Sequence, residues 1–211
     1  MVLVETLAVG GFQCNCAILG CPEEKKAVVV DPGGDPEKIL EIVRHYDLEV
    51  LALVHTHAHL DHIAATRDIK EATGASIWLH PGDDWLYENF AMQAMMFGWK
   101  VRDVLPVDAS LQDGKAIVFG KQQLDVIHTP GHTPGSVCFH HPKDALLLAG
   151  DTLFREGIGR TDLWGGSYPQ IERSIREKLY ALPDDTRVVC GHGPDTRIGE
   201  EKSENPFVRA V

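Results

Sequence analysis

The sequence predicts an α/β fold in which two β-sheets pack together with helices outside, and three observations carry that expectation. Residues 27–30, a helical pattern after Asp35 and residues 50–54 follow one another as strand, helix and strand, the order of a βαβ unit. Residues 116–148 have an almost continuous strand texture. The second half then repeats the strand-and-helix plan of the first with an amphipathic helix and a final strand.

Residues 3–19 read as two short strands around Gly10-Gly11. The strand at 27–30 ends at Asp31-Pro32-Gly33-Gly34, a turn by its Gly and Pro content. Asp35 stands where it would cap a helix with Pro36 in the first position. Ile39, Ile42, Val43 and Tyr46 then fall at helical spacing, so that helix lays one face on a sheet. Residues 50–54 form an apolar run of the buried-strand type. A helix over 61–73 is stopped by Gly74, and residues 75–79 return to strand. Residues 83–97 look helical and carry Phe90, Met92, Met95, Met96 and Phe97, with Trp99 just beyond. Core packing is the expected role of that stripe, in preference to a flexible apolar flap beside a site. Strands follow at 116–119, 124–128, 137–140 and 145–148. Ile171, Ile175 and Leu179 mark an amphipathic helix over 168–182, and the last strand is 188–190.

A chain of 211 residues is long enough for one substantial core and short for two independent domains. Its formal net charge of -11, with no run of Lys or Arg, argues against a nucleic-acid partner, because a polyphosphate needs a basic footprint. The first ten residues lack the basic and apolar regions of a signal peptide, and no apolar stretch reaches membrane length, so a soluble cytoplasmic protein with no membrane partner is expected. The five cysteines, Cys14, Cys16, Cys21, Cys138 and Cys190, are an odd count expected to remain reduced thiols. Cys14 and Cys16 are too few to make a zinc site alone.

Chemistry concentrates in residues 55–62, His-Thr-His-Ala-His-Leu-Asp-His, directly after the apolar run. A strand ending there delivers the cluster to a sheet edge, where open α/β sheets place ligands. His57, His59, Asp61 and His62 fit a pattern in which alternate residues point one way and the step into a helix turns the next two in from another side. That arrangement suits two neighbouring metal ions, against the simpler possibility of a histidine-rich solvated turn. His132, Asp151 and His192 share a context of apolar strand, Gly-bearing loop and polar residue, and so complete a set of five His and two Asp.

This set resembles the metallo-β-lactamase superfamily, which implies a four-layer αβ/βα sandwich spanning residues 1–211 as one domain. Gly150-Asp151-Thr152-Leu153-Phe154, the Gly159-Arg160 loop and Gly191-His192-Gly193-Pro194 are similar more narrowly to glyoxalase II, the hydroxyacylglutathione hydrolases. Only 19 residues follow His192, so the C-terminal helical domain that supplies part of the glutathione site in long members is expected to be absent. The resemblance implies that His57, His59 and His132 hold one metal, that Asp61, His62 and His192 hold a second, and that Asp151 bridges them. It also implies two zinc ions, with iron or manganese as alternatives, and a metal-bridging hydroxide that attacks S-lactoylglutathione. Asp61 and Asp151 would then be the catalytic carboxylates, and Arg160 the residue that grips the substrate. For Arg160 an internal salt bridge with Asp162 or Glu156 is an equal expectation.

His55 and His128, beside ligand loops, are expected to support the ligands, and Asp31 either orients a ligand imidazole or shapes its turn. The main rival function is a mononuclear iron persulfide dioxygenase, which the sequence also resembles through His57, His132, Asp151 and Gly159-Arg160-Thr161-Asp162. A non-catalytic protein held together by its metals is a further alternative, although structural zinc sites are usually closed and cysteine-rich.

Overall fold

Period-two alternation of apolar residues decides the layers. In the computed structural model, which describes residues 1–209, the first sheet begins with β1 (Leu3–Val9), β2 (Cys14–Cys21) and β3 (Lys26–Val30), each antiparallel to the next. Helix α1 (Pro36–His45) crosses over to β4 (Glu49–Val54), which runs parallel to β3. Two short helices, α2 (Leu60–Ile63) and α3 (Thr66–Thr73), lead to β5 (Ser76–Leu79). Helices α4 (Asp84–Glu88) and α5 (Phe90–Met96) precede β6 (Ala109–Ser110), and the sheet order is β1-β2-β3-β4-β5-β6.

The second sheet takes β7 (Ala116–Phe119), β8 (Gln122–His128), β9 (Val137–His141) and β10 (Leu146–Gly150). A small hairpin, β11 (Leu153–Phe154) and β12 (Gly157–Ile158), leads to α6 (Tyr168–Ser174), which continues into one wider turn at Ile175–Leu179. Strands β13 (Arg187–Cys190) and β14 (Thr196–Arg197) and helix α7 (Ile198–Glu204) complete the order β14-β13-β10-β9-β8-β7.

Both faces of the central strands are buried. Val28 and Val30 of β3 pack with Phe119, Phe139, Leu146 and Leu148 between the sheets, while Val29 joins Ile39, Ile63, Ile69 and Phe90 beneath the helices of the first half. Leu147 and Ala149 turn the other way, onto Ile171, Ile175, Leu179 and Ile198. Three apolar seams therefore hold four layers, helices, sheet, sheet and helices, as expected of the αβ/βα sandwich. Near-continuous Val, Ile and Leu runs are what such doubly covered strands require.

Several local expectations need correction. The helix over 61–73 is broken at Ala64-Ala65, and that over 83–97 at Asn89. Asp35 precedes α1 with φ 47 and gives its N-terminus no side-chain cap; its Oδ2 accepts from the Gly10 N–H at 2.9 Å, tying the β1–β2 turn to α1. The Met-rich stripe is only partly core, since Phe90 is buried whereas Met95, Met96 and Phe97 are exposed. Residues 194–209 add β14 and α7, for which the sequence offered no periodic signal.

Candidate metal centre

Four strand ends converge on one point. His57 and His59 lie in the loop after β4, Asp61 and His62 on α2, His132 beyond β8, Asp151 beyond β10 and His192 beyond β13. Backbone geometry makes the approach possible. Gly150 adopts φ +48, where a Cβ would fall 2.3 Å from Thr56 Oγ1, and a Cβ on Gly191 would fall 2.1 Å from Asp151 Oδ1. Neither position accommodates a side chain without displacing the site.

The structure brings all seven expected ligand residues together. Three groups, His57–His59–His132, His57–His62–Asp151 and Asp61–His62–His192, each place one potential ligand atom per residue within 4.8 Å of the others. His59 Nδ1 lies 2.9 Å from His132 Nε2, and His62 Nε2 lies 3.2 Å from His192 Nε2. Ligands of one tetrahedral zinc are about 3.3 Å apart, from bond lengths of ~2.0–2.1 Å. Asp151 stands between the groups, with Oδ1 3.3 Å from His62 Nε2 and Oδ2 3.6 Å from His132 Nε2. Buried His57 Nε2, His59 Nε2 and Asp151 Oδ1 make no hydrogen bond. Orphaned buried polar atoms of this kind are costly, and a cation among the converging donors removes part of that cost, so the residues fit a metal-binding cluster.

Each ring is fixed by its other nitrogen. The Thr56 hydroxyl donates to Asp31 Oδ2 at 2.6 Å and is therefore an acceptor for His57 Nδ1 at 3.0 Å, which leaves His57 Nε2 free to face inward. His62 Nδ1 meets Asp31 Oδ2 at 3.0 Å, His132 Nδ1 donates to the Arg160 carbonyl at 2.8 Å, and His192 Nδ1 donates to the Phe12 carbonyl at 3.0 Å. Asp31 thus satisfies both expectations held for it: its φ of 50 makes the turn, and its carboxylate orients His62.

Burial pushes His57 well below the ordinary imidazole range and His59 down to about 3, with the neighbouring imidazoles adding to the effect, so both are neutral donors. Burial alone would also lower His62, but Asp151 and Asp31 overcome it and raise the ring well above its usual range. Asp151, which burial would raise, is held well below the usual carboxylate range by His62, His132 and His192. Burial keeps Cys14 near 11 and Cys190 near 12, so both are neutral thiols beside the cluster, and all five cysteines are unpaired.

Two braces were not legible in the sequence. Asp83, fully buried, accepts from the Ala58 N–H at 2.9 Å, the Gly135 N–H at 2.6 Å and the Thr133 hydroxyl at 2.8 Å, joining the His57–His59 loop to the His132 loop. Gln93 accepts from the Leu60 N–H and donates to the Ala58 and Leu86 carbonyls, all at 3.0 Å or less. The signal for Asp83 was its place after the Pro81-Gly82 turn, and nothing local marked Gln93. Of the two histidines expected to support ligands, His55 is buried against the Thr66 hydroxyl, and His128 stacks on His80 at 4.1 Å and contacts the Pro134 carbonyl. Among the described residues neither ring hydrogen-bonds a ligand side chain.

His192, Asp61 and Asp151 retain 27, 21 and 14% side-chain exposure, so the cluster opens on their side. The opening leads to a cavity of about 340 Å³ lined by Phe12, Leu60, Met96, Phe97, Arg160 and Trp164 besides the ligands. Arg160 is there, but its guanidinium forms two hydrogen bonds with Asp162 at 2.7 and 2.8 Å, the internal pair that was the alternative expectation.

Comparison with known proteins agrees with this geometry. A family model described as metallo-beta-lactamase superfamily matches residues 9–192. Hydroxyacylglutathione hydrolase GloC of Haemophilus influenzae is 38% identical, with 98% of each chain covered. Among solved structures, the BLEG-1 B3 metallo-beta-lactamase superposes with a TM-score of 0.91 at 37% identity, covering 98% of this chain and 99% of that one. The di-iron-bound form of TTHA1623 gives 0.88 at 38% identity, covering 97% of this chain and all of the other.

Two outcomes test the braces. Asp83→Ala leaves two amides and a hydroxyl unpaired in the interior and is expected to cost about 3–5 kcal/mol in denaturant unfolding of the metal-loaded protein. Asp31→Asn weakens the anchoring of His62 and is expected to lower zinc affinity roughly 10- to 100-fold in calorimetric titration of metal-free protein.

Proposed function

Because the chain belongs to the metallo-beta-lactamase superfamily and is a metal-dependent hydrolase, we propose that it is a glyoxalase II-like thioesterase, which takes S-2-hydroxyacylglutathione, typically S-lactoylglutathione, to a 2-hydroxy acid and glutathione in the cytoplasm. The observation that carries this is a His and Asp cluster open on one side to a cavity, beside a full-length relative described as a hydroxyacylglutathione hydrolase. Closed structural sites give no such access.

His57, His59 and His132 would hold one zinc, Asp61, His62 and His192 the second, and Asp151 would stand between them; iron or manganese could take the same donors. When bound, such ions lower the pKa of water and polarise the carbonyl of the thioester. The chain supplies positioning and charge. Asp61, despite burial, is held below the usual carboxylate range by His192 and His62, so its ionised carboxylate at the cavity can accept a hydrogen from the attacking water. Phe12, Met96, Phe97 and Trp164 limit competing water around the carbonyl. Arg160 would release Asp162 to bind a substrate carboxylate, an exchange of one solvent-screened pair for another.

The likeness to the B3 metallo-beta-lactamase favours one second reading, hydrolysis of a β-lactam amide by the same attack on a carbonyl. Metal analysis and a panel of S-lactoylglutathione, other thioesters and a chromogenic β-lactam decide between them. Two zinc per chain with turnover of S-lactoylglutathione is expected, and Asp151→Ala should abolish that turnover and lower the metal content. One iron per chain with oxygen uptake on a glutathione persulfide would replace the hydrolase with the dioxygenase, and turnover of the β-lactam alone would replace it with a lactamase. For Arg160→Ala, KM for glutathione thioesters should rise about tenfold while uncharged thioesters change little. Equal losses on both would assign Arg160 to the loop scaffold.

A further inference from the structure

One wall of the cavity is apolar and carries neither a candidate ligand nor a charged group. Phe12, from the β1–β2 turn, meets Phe97 edge to face at 5.0 Å and Trp99 at 5.3 Å, while Phe97 and Trp99 are 6.2 Å apart. These rings remain 41, 51 and 37% exposed, and Met96 beside them is 62% exposed, whereas Phe90 of the same helix is buried at 4%. An exposed apolar cluster of this size at the mouth of a pocket needs a partner.

The cluster is continuous with the metal centre. Phe12, Met96 and Phe97 line the same cavity as His59, Asp61, His132 and Asp151, and the Phe12 carbonyl holds His192 Nδ1. Leu163 and Trp164 face the cavity too, with the Trp164 ring 6.3 Å from that of His59. Outside the ligand cluster charge is scarce by comparison: among the described residues the one Lys or Arg on the lining is Arg160, and Asp162 already holds it. Glutathione presents two carboxylates, and this lining offers them a single guanidinium.

We propose that Phe12, Met96 and Phe97, with Trp99 packed beside the two phenylalanine rings, form a subsite for an apolar arm, alkyl or aryl, attached to the scissile group, and that this arm sets substrate choice more than the charged ends of glutathione do. The inference deepens the thioesterase reading and rests on it for the identity of the scissile group. The arm belongs either to the acyl side or to the thiol side, and the two are separable by experiment.

Two non-hydrolysable thioether series serve as probes for the metal-loaded protein: S-alkylglutathiones, whose alkyl chain replaces the acyl arm, and (alkylthio)acetates, R–S–CH2–COO−, whose chain extends the thiol arm. In calorimetric titration Kd is expected to fall about fourfold per added methylene in one series, the value of burying one such group, and the series that responds names the side. Met96→Gln and Phe97→Ser, both at exposed positions, should keep metal content and melting temperature and reduce the dependence to below about twofold. Kd flat with chain length in both series, or a slope untouched by either variant, overturns the proposal. So does sedimentation showing a dimer that the variants dissociate, which would give the wall to a second copy of the chain. Turnover of the matching thioesters is measured alongside. Its complete absence would sink thioester hydrolysis, while the binding slopes would still decide the subsite.

Discussion

Five imidazoles and two carboxylates meet at the ends of four strands, with nitrogens 2.9 and 3.2 Å apart in the two His–His contacts, and the rest of the structure is arranged around making that crowding tolerable. Converging imidazole nitrogens and carboxylate oxygens are costly to bury in a water-poor interior, and a cation among them would turn that cost into coordination. The donor set therefore suits a metal ion of the kind that imidazole and carboxylate bind. The same requirement explains why the outer nitrogens of His132 and His192 are given backbone carbonyls and that of His62 a carboxylate. A ring free to rotate would lose the convergence.

Supporting carboxylates carry the mechanical load. Removing an ionised group from water costs several kcal/mol unless hydrogen bonds replace the lost solvent. Asp83 lies in that regime, its carboxyl raised by burial against the pull of Thr133 and the Ala58 and Gly135 amides. What the molecule gains is a fixed distance between a loop of the first sheet and a loop of the second. Asp31 does the same within the first sheet, since Thr56 and His62 share its two oxygens. Packing between the sheets, through Phe119, Phe139 and their neighbours, keeps the two sets of loops in register.

The cavity is asymmetric in a way that follows from this construction. Its floor is polar because the strand ends deliver ligands there, and its rim is apolar because the β1–β2 turn supplies Phe12 and the end of α5 supplies Met96 and Phe97. Phe12 belongs to both, with its carbonyl on His192 and its ring in the aromatic cluster. A group seated on the rim is thereby placed within reach of a ligand residue without any charged contact.

The fold class was legible in the sequence because alternation and helical spacing are local: the βαβ unit through residues 27–54 and the Gly-bearing loops after apolar strands appear where expected. The seven residues of the cluster were also legible, since His57, His59, Asp61 and His62 are close in the chain and the others share one strand-loop context. By contrast, Asp83 and Gln93 act across 25 to 52 residues of chain, and a buried Asp or Gln looks the same in sequence as a solvated one. The exposure of Met96 and Phe97 was equally hidden, because periodicity records which residues share a helix face and not whether anything covers it. Even the two His–His contacts, which join residues 73 and 130 positions apart, exist only once the sheets have packed. Residue chemistry fixed what could bind, and the folded geometry decided which atoms meet, because distance in space is set by long-range packing that no local pattern encodes.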